Sequence, residues 1–552
     1  MKYIKLLGHS LLAISLFFTI PGCKKYLEEY NPGSRTDENY YVTKAGFEDL
    51  VKSNYSNLRG IINNGGLYFQ GTDILSTYGI NDVSALNLYN TSLNSSIGDV
   101  DNYWRQLYSA INIANTTLYW ATKVEGVDIG SLATRISEAK TLRAYYYFLL
   151  AETFGDAPLL TERTTEPVRV FVRTPEQEIY TQIIKDLMEA IPGLSPTTPE
   201  FGRVTKGVAQ HLLAKVYLTR GYKSYGGGNA DFQLAATQAE AVIAGPYALK
   251  AKYVDLFDAS IANFQINSEV IFSVQYSINA QSNGGGNNLQ QYFLWDPQIT
   301  PILGRSSLYG KPNYTAAPTP YYFTLFDKAR DSRYLASFHN VLFAQVAGTS
   351  GGNNFAVGDT FVYYPDIPFT AAEKAAKKYF VTNPNEYRIS PFVANVRSHP
   401  QLKKFRDPGL PYQDGGGFRD TYVFRLAETH LIAAEAYLQS NNLTKALEQY
   451  NKVRERAAKP GNNPATGVPY TTEMRVTALT LDNILEERAR ELLGEELRWF
   501  ELKRTGKLIS RVLAYNDEAK AANTLKPFHL LRPIPQVQLD LNRGPFPQNT
   551  GY

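Results

Sequence analysis

The sequence holds a single cysteine, which excludes an intrachain disulfide and any cysteine-rich metal site. It has little excess of either charge. Its 56 basic and 52 acidic residues leave +4, with no basic cluster, which argues against nucleic acid as a partner. Long apolar runs are missing too. The best, Leu11–Ile20 (LLAISLFFTI), falls short of the roughly 20 residues a membrane-spanning helix needs. Catalytic signatures are equally sparse: there is no HExxH, no Walker loop and no Gly-x-Ser-x-Gly, and no two histidines are spaced i, i+4. Glycine-rich stretches at 226–228, 284–286 and 415–417 lack the strand–helix context of a phosphate loop. His211 and His430 lie on apolar helical stripes and read as packing residues. Carboxylates are plentiful, but a glycosidase pair meets only in the fold, so spacing cannot locate one. These absences favour a binding protein over an enzyme and imply no cofactor. What is abundant is tyrosine and phenylalanine, 39 and 28 residues. A tyrosine ring has an apolar face and a polar tip, which suits helix packing and wet binding surfaces alike.

The N-terminus explains the one cysteine. Lys2 and Lys5 precede the short apolar run, and Pro21-Gly22 lead into Cys23. Residues 1–22 read as a secretory signal. The placement of the only Cys at the cleavage junction predicts a bacterial lipoprotein, cut before Cys23 and lipidated on its thiol. Several acyl chains would anchor it stably. Residues 23–44 read as a tether and mature N-terminus, and 45–552 as one domain.

Three segments share a pattern. Ala144 and Tyr147, Ala214 and Tyr217, and Ala434 and Tyr437 each place a small residue three before a tyrosine, on one helical face. After the third, Asn441-Asn442 predicts a turn, and Ala446 and Tyr450 recur beyond it. This is the spacing of a tetratricopeptide helical hairpin. Helical repeats are expected over about 101–245 and 421–460. Residues 60–100 and 250–420 are rich in Gly, Asn, Pro and Tyr and read as loops with a few short strands, Val270–Val274 among them. The charges of 481–508 read as a solvated helical face laced with ion pairs. The C-terminal helix and tail, 481–552, close the chain. The fold class expected is mainly α.

Together these pieces resemble the SusD/RagB family of Bacteroidetes outer-membrane lipoproteins. The resemblance rests on Cys23-Lys-Lys-Tyr-Leu-Glu-Glu, on Tyr103-Trp104 with Tyr108, Ile111, Asn112 and Asn115, and on Arg143-Ala-Tyr-Tyr-Tyr-Phe with Phe154-Gly155-Asp156-Ala157-Pro158. It continues in Pro318-Thr-Pro320, Phe326-Asp327, Asp331-Ser-Arg333, Arg425-Leu-Ala-Glu428, Arg498-Trp499, Lys503-Arg504-Thr-Gly506 and Pro533-Ile-Pro535. It implies a non-catalytic, lipid-anchored nutrient receptor on the cell exterior. Its implied ligand is a glycan and its implied partner a SusC-like TonB-dependent transporter. A RagB-like peptide binder is the nearer alternative. A tetratricopeptide scaffold and a hidden glycan hydrolase are the others.

Sugar rings present C–H faces that stack on aromatic rings, while amides and carboxylates bond hydroxyls. Trp295 is the only tryptophan in a loop and is the first ligand candidate. Tyr292, Tyr309, Tyr68, Tyr78 and Tyr89 follow, with Asn81 and Asp82 as polar partners. Packing beneath a long loop is the alternative for each tyrosine. Trp104, Trp120 and Trp499 lie on helical stripes and are expected in the core.

Overall fold

Small residues facing aromatic ones let helices approach closely, and this protein stacks eight helices that way. We describe it from a computed structural model, over residues 36–62, 70–79, 82–293, 300–304, 308–309, 315–388, 398–410, 416–495 and 497–552. The scaffold helices are α1 Lys44–Ile62, α2 Gly98–Trp120, α3 Ile129–Phe154, α4 Glu176–Ala190, α5 Lys206–Gly221, α6 Asn229–Ile243, α7 Leu426–Gln439 and α8 Leu443–Ala457. Each packs against the next, so they form one continuous row. The small/aromatic pairs sit inside it: Ala144, Tyr147, Ala214, Tyr217, Ala434, Tyr437, Ala446 and Tyr450 are all buried.

Local chemistry starts and stops these helices. Asp128 accepts a hydrogen bond from Ser131 N and caps α3, and Gly155 ends it at φ +71°. The predicted Asn turn closes the last hairpin. Asn441 takes φ +61°, a conformation asparagine tolerates, and Asn442 caps α8 by accepting from Lys445 N.

The row is interrupted between α6 and α7 by the loop-rich part, yet α6 packs directly on α7. Five strands matter here: β1 Leu75–Gly79, β2 Asp82–Val83, β3 Val270–Val274, β4 Ala316–Pro318 and β5 Thr421–Arg425. β3 opens the interruption and β5 closes it. They pair antiparallel with Phe272 opposite Phe424, so the insertion leaves and returns at one point and the helical row resumes. β1 lies between β2 and β4 in a second, antiparallel sheet.

The C-terminal charges correct the reading of a solvated face. The segment is not one helix but three, α9 Leu481–Leu492, α10 Arg498–Arg504 and α11 Leu508–Tyr515, followed by α12 Asp517–Ala522. The first break falls at Gly494, at φ +76°, where an added Cβ would meet the Phe405 ring at 2.5 Å. Glu487, Arg488, Arg490, Glu491, Glu495 and Arg498 are all buried. Arg333 bonds Asp331 at 2.7 Å, Glu487 at 2.7 Å and Glu491 at 3.0 Å. Arg425 reaches Glu269 and Glu495, each at 2.5 Å. Glu428 takes Lys215 at 2.6 Å and Arg488 at 3.0 Å. Residues from the repeats, the loop-rich part and the C-terminus thus meet in two buried ionic groups, both drawing on α9. Breaking any member would strand a charge away from water.

Candidate functional site

The second sheet is where the expected ligand loops are held. β1 and β2 form a hairpin, with Tyr78 opposite Val83 and Gly79 opposite Asp82. β4 runs along the other edge of β1, with Leu75 opposite Pro318 and Thr77 opposite Ala316. Thr315 joins two of the candidate tyrosines. Its carbonyl accepts from Tyr78 N at 2.7 Å, and its N–H donates to the Tyr292 carbonyl at 3.0 Å.

The C-terminal helices clamp this sheet from beneath. Asp73, fully buried, accepts from Arg498 and from Arg511 Nε at 2.8 Å. Burial would raise its pKa, but the two guanidiniums outweigh that and hold it low. Asn516 caps α12 and donates to the carbonyls of Thr72 and Leu75 and to Asn87 Oδ1. Glu518 accepts from Tyr78 OH at 3.0 Å and from Asn87 Nδ2 at 2.9 Å. Arg511 also donates to Tyr321 OH at 2.8 Å, and the Tyr321 and Tyr515 rings stack at 3.7 Å and 13°. Both of those rings are half-buried. The sequence reading missed this pair, because neither tyrosine carries a local signal and they lie far apart in the chain.

Of the candidate ligand residues, Trp295, Tyr68 and Asn81 lie outside the described residues, and Asp82 pairs through its backbone with Gly79. Tyr78, Tyr89, Tyr292 and Tyr309 are all less than 10 % exposed. Tyr89 sits at φ +54°, donates to the Gly71 carbonyl and lies under the Arg532 guanidinium, 5.3 Å from the ring centre. Burial, only partly offset by Arg532, pushes its pKa up to about 12. Tyr309 OH accepts from Phe343 N at 3.0 Å. All four rings are thus buried in this structure, where packing beneath the loops, the alternative reading for each tyrosine, describes them. For Tyr78, Tyr89 and Tyr309 the hydroxyl finds a protein partner as the ring is buried, in Glu518, the Gly71 carbonyl and Phe343 N respectively.

The glycine stretches have a structural use. Gly286 lies at φ +70°, and a Cβ added there would stand 2.6 Å from the Gly416 backbone, so two chains pass where no side chain fits. Asn287 and Gly417 exchange two 2.8 Å backbone hydrogen bonds beside them. Trp104, Trp120 and Trp499 are buried as expected. Trp104 packs edge-on against Phe154 at 4.9 Å and also lines an apolar cleft of 410 Å³ with Tyr108, Phe171, Leu541 and Phe546. His211 is completely buried between Thr429 and Glu428, and His430 bonds Gln449, so both pack rather than face a substrate. Among the described residues, no group of His, Cys, Asp and Glu is arranged to hold a metal ion.

Comparison with known proteins gives this architecture its context. A family described as starch-binding and associating with the outer membrane matches residues 25–218. A SusD-like protein of Formosa agariphila is 27% identical, over 96% of this chain and 96% of its own. The starch-binding protein SusD of Bacteroides thetaiotaomicron is 24% identical, over 79% of this chain and 76% of its own. Among solved structures, a SusD homolog from Bacteroides thetaiotaomicron superposes with a TM-score of 0.72 at 22% identity, covering 94% of this chain and 99% of that one. A laminarin-binding SusD-like protein gives 0.66 at 24% identity, covering 92% and 100%. The SusD family's own sequence model matches residues 268–552, from β3 through the loop-rich part to the last residue, and the chain belongs to the SusD family.

Proposed function

We propose that the protein is a cell-surface receptor that captures an oligo- or polysaccharide without cleaving it. It passes the glycan to a SusC-like TonB-dependent transporter, and lipid on Cys23 tethers it to the outer face of the outer membrane. Family membership is the observation that carries this reading, with relatives named for starch and laminarin binding in support. The clamp beneath the β1–β2–β4 sheet supports it too, since rigid anchoring lowers the entropy lost when loops close on a ligand. Trp295 is the proposed stacking residue, with Asn81, Asp82 and Tyr68 as further proposed contacts. Binding per sugar is weak on such a surface and gains from several subsites. The transporter interface is proposed to be of the large class, above roughly 2,000 Å².

A polysaccharide array followed by calorimetry tests capture, with product analysis on the same samples. Binding with no released oligosaccharide is the expected result. Released product would convert the receptor into a hydrolase, and an array blank for glycans but positive for peptides would favour the RagB-like alternative. Mild-detergent pull-down with the neighbouring operon expressed should recover a barrel partner. Recovery of the chain alone would remove the delivery step.

A further inference from the structure

Deeply buried cations in this protein are matched by acids, as Arg333, Arg425 and Lys215 show. Lys404 follows the rule by pairing with Glu495. Its neighbour Lys403 does not. Lys403 and Arg406 both line a pocket of 370 Å³ together with His339, Phe257, Asp258, Ser260 and Pro408. Both are partly buried, and neither forms an ion pair with a described residue. The one acid in the lining, Asp258, accepts from Ser260 N at 2.9 Å and Ser260 Oγ at 2.7 Å; its single charge acts on Lys403 and Arg406 from a distance and offsets at most one of them. His339 Nε2 is buried there with no hydrogen-bond partner. Behind the pocket, Arg419 donates to the Arg406 carbonyl and lies over the Phe257 and Phe264 rings, with Asp407 and Asp420 close enough to act on its own charge.

Gathering like charges in a concave, half-desolvated site costs stability unless something negative enters. Burial, and then the Arg406 charge, push the Lys403 ammonium below its ordinary range, and the Asp258 charge opposes them only in part. A guanidinium, an ammonium and a neutral imidazole are together suited to a planar or tetrahedral oxyanion. Phe257 and Pro408 offer apolar walls beside it. The pocket also adjoins a loop residue of the ligand region, since the Tyr309 ring meets His339 edge-on at 5.2 Å.

We propose that this pocket binds one oxyanion, a carboxylate or a sulfate ester, carried by an acidic saccharide. The proposal rests on the reading of glycan capture and narrows its ligand to a charged sugar. The test is calorimetric titration of the whole mature chain with a galacturonate trisaccharide, a sulfated galactose trisaccharide and the neutral galactose trisaccharide. Wild type is compared with Lys403→Gln, Arg406→Gln and the double variant. One of the two acidic probes is expected to bind at least tenfold tighter than the neutral one, and which of them does so identifies the source of the oxyanion. The double variant is expected to lose that tenfold advantage while melting at or above the wild-type temperature, because it relieves repulsion. Each single variant is a sufficient test if the double variant does not fold. Acidic probes that bind no tighter than the neutral probe, or that keep their advantage in the variants, overturn the site. Neutral glycan bound without preference for acid leaves glycan capture standing and removes only this pocket. Absence of binding to these probes and to every glycan of the polysaccharide array removes both.

Discussion

Asp73 and Arg498, 425 residues apart in the chain, form a buried two-pronged pair: Nε donates to Oδ1 at 3.0 Å and Nη2 to Oδ2 at 2.8 Å. The pair fastens the segment leading into β1 to the C-terminal helices. Removing one partner of such a pair leaves the other charged and desolvated, at a cost of about 3–5 kcal/mol. Asp73→Asn strands Arg498 and leaves Arg511 with Asp482 as its one acid, so the unfolding free energy from denaturant titration should fall by that amount. A midpoint close to wild type would mean water reaches the pair.

Trp104 and Trp295 should separate stability from binding. Trp104→Ala removes a ring buried against Phe154 and should cost about 3–5 kcal/mol of unfolding free energy. Trp295→Ala should leave melting nearly unchanged and weaken glycan binding by about 1–3 kcal/mol, by analogy with base stacking on aromatic side chains. Early melting of Trp295→Ala with intact affinity would sink its proposed role.

Acid should destabilise the protein well above the carboxylate range. Burial lowers the His399 pKa from 6.5 to about 4, and burial with Lys403 and Arg406 lowers that of His339 to about 3. Between pH 6.5 and about 4 the unfolded chain therefore binds protons that the folded chain refuses, so stability falls as pH falls. At 1.36 kcal/mol per pKa unit, His399 alone contributes a loss of about 3 kcal/mol across that window. Asp420 works the other way. Burial raises its pKa to about 6, so it regains stability as pH drops from 6 towards 3.8. The two histidines outweigh it. Below 4.5 the loss continues as Glu152 is protonated; burial raises its pKa, but Lys223 and Lys503 hold it low in the fold. Guanidinium midpoints at pH 7, 5.5 and 4.5 measure this, and equal midpoints would show that the buried imidazoles do take up protons.

Lipid anchoring at Cys23 predicts a simple fractionation. Wild type expressed in a Bacteroidetes host should sediment with the outer membrane, and Cys23→Ala should leave it. An outer-membrane yield of Cys23→Ala equal to wild type would falsify the anchor.

Much of the helical row was legible because its signals are local. Ala434, Tyr437, Ala446 and Tyr450 sit at fixed spacing around an Asn turn, and α7 and α8 follow that pattern. The strand Val270–Val274 was equally readable from its β-branched run. The loop tyrosines were not. A tyrosine that stacks on sugar and one that donates to Glu518 or Gly71 have the same neighbours in sequence, and the difference lies in residues hundreds of positions away.

The sequence by itself determined the helix pairs and, through motifs in order, the family. Those properties depend on spacing of a few residues. Only the tertiary structure decided which charges are buried. Glu487, Glu491 and Arg488 look like a solvated stripe in sequence because periodicity reports a face and not what covers it. Arg333, Arg425 and Glu428 arrive from other parts of the chain and turn that stripe into a buried ionic core. Contact between distant segments likewise left Lys403 without an ion pair to a described residue beside a paired Lys404, a distinction that two adjacent lysines cannot carry in sequence.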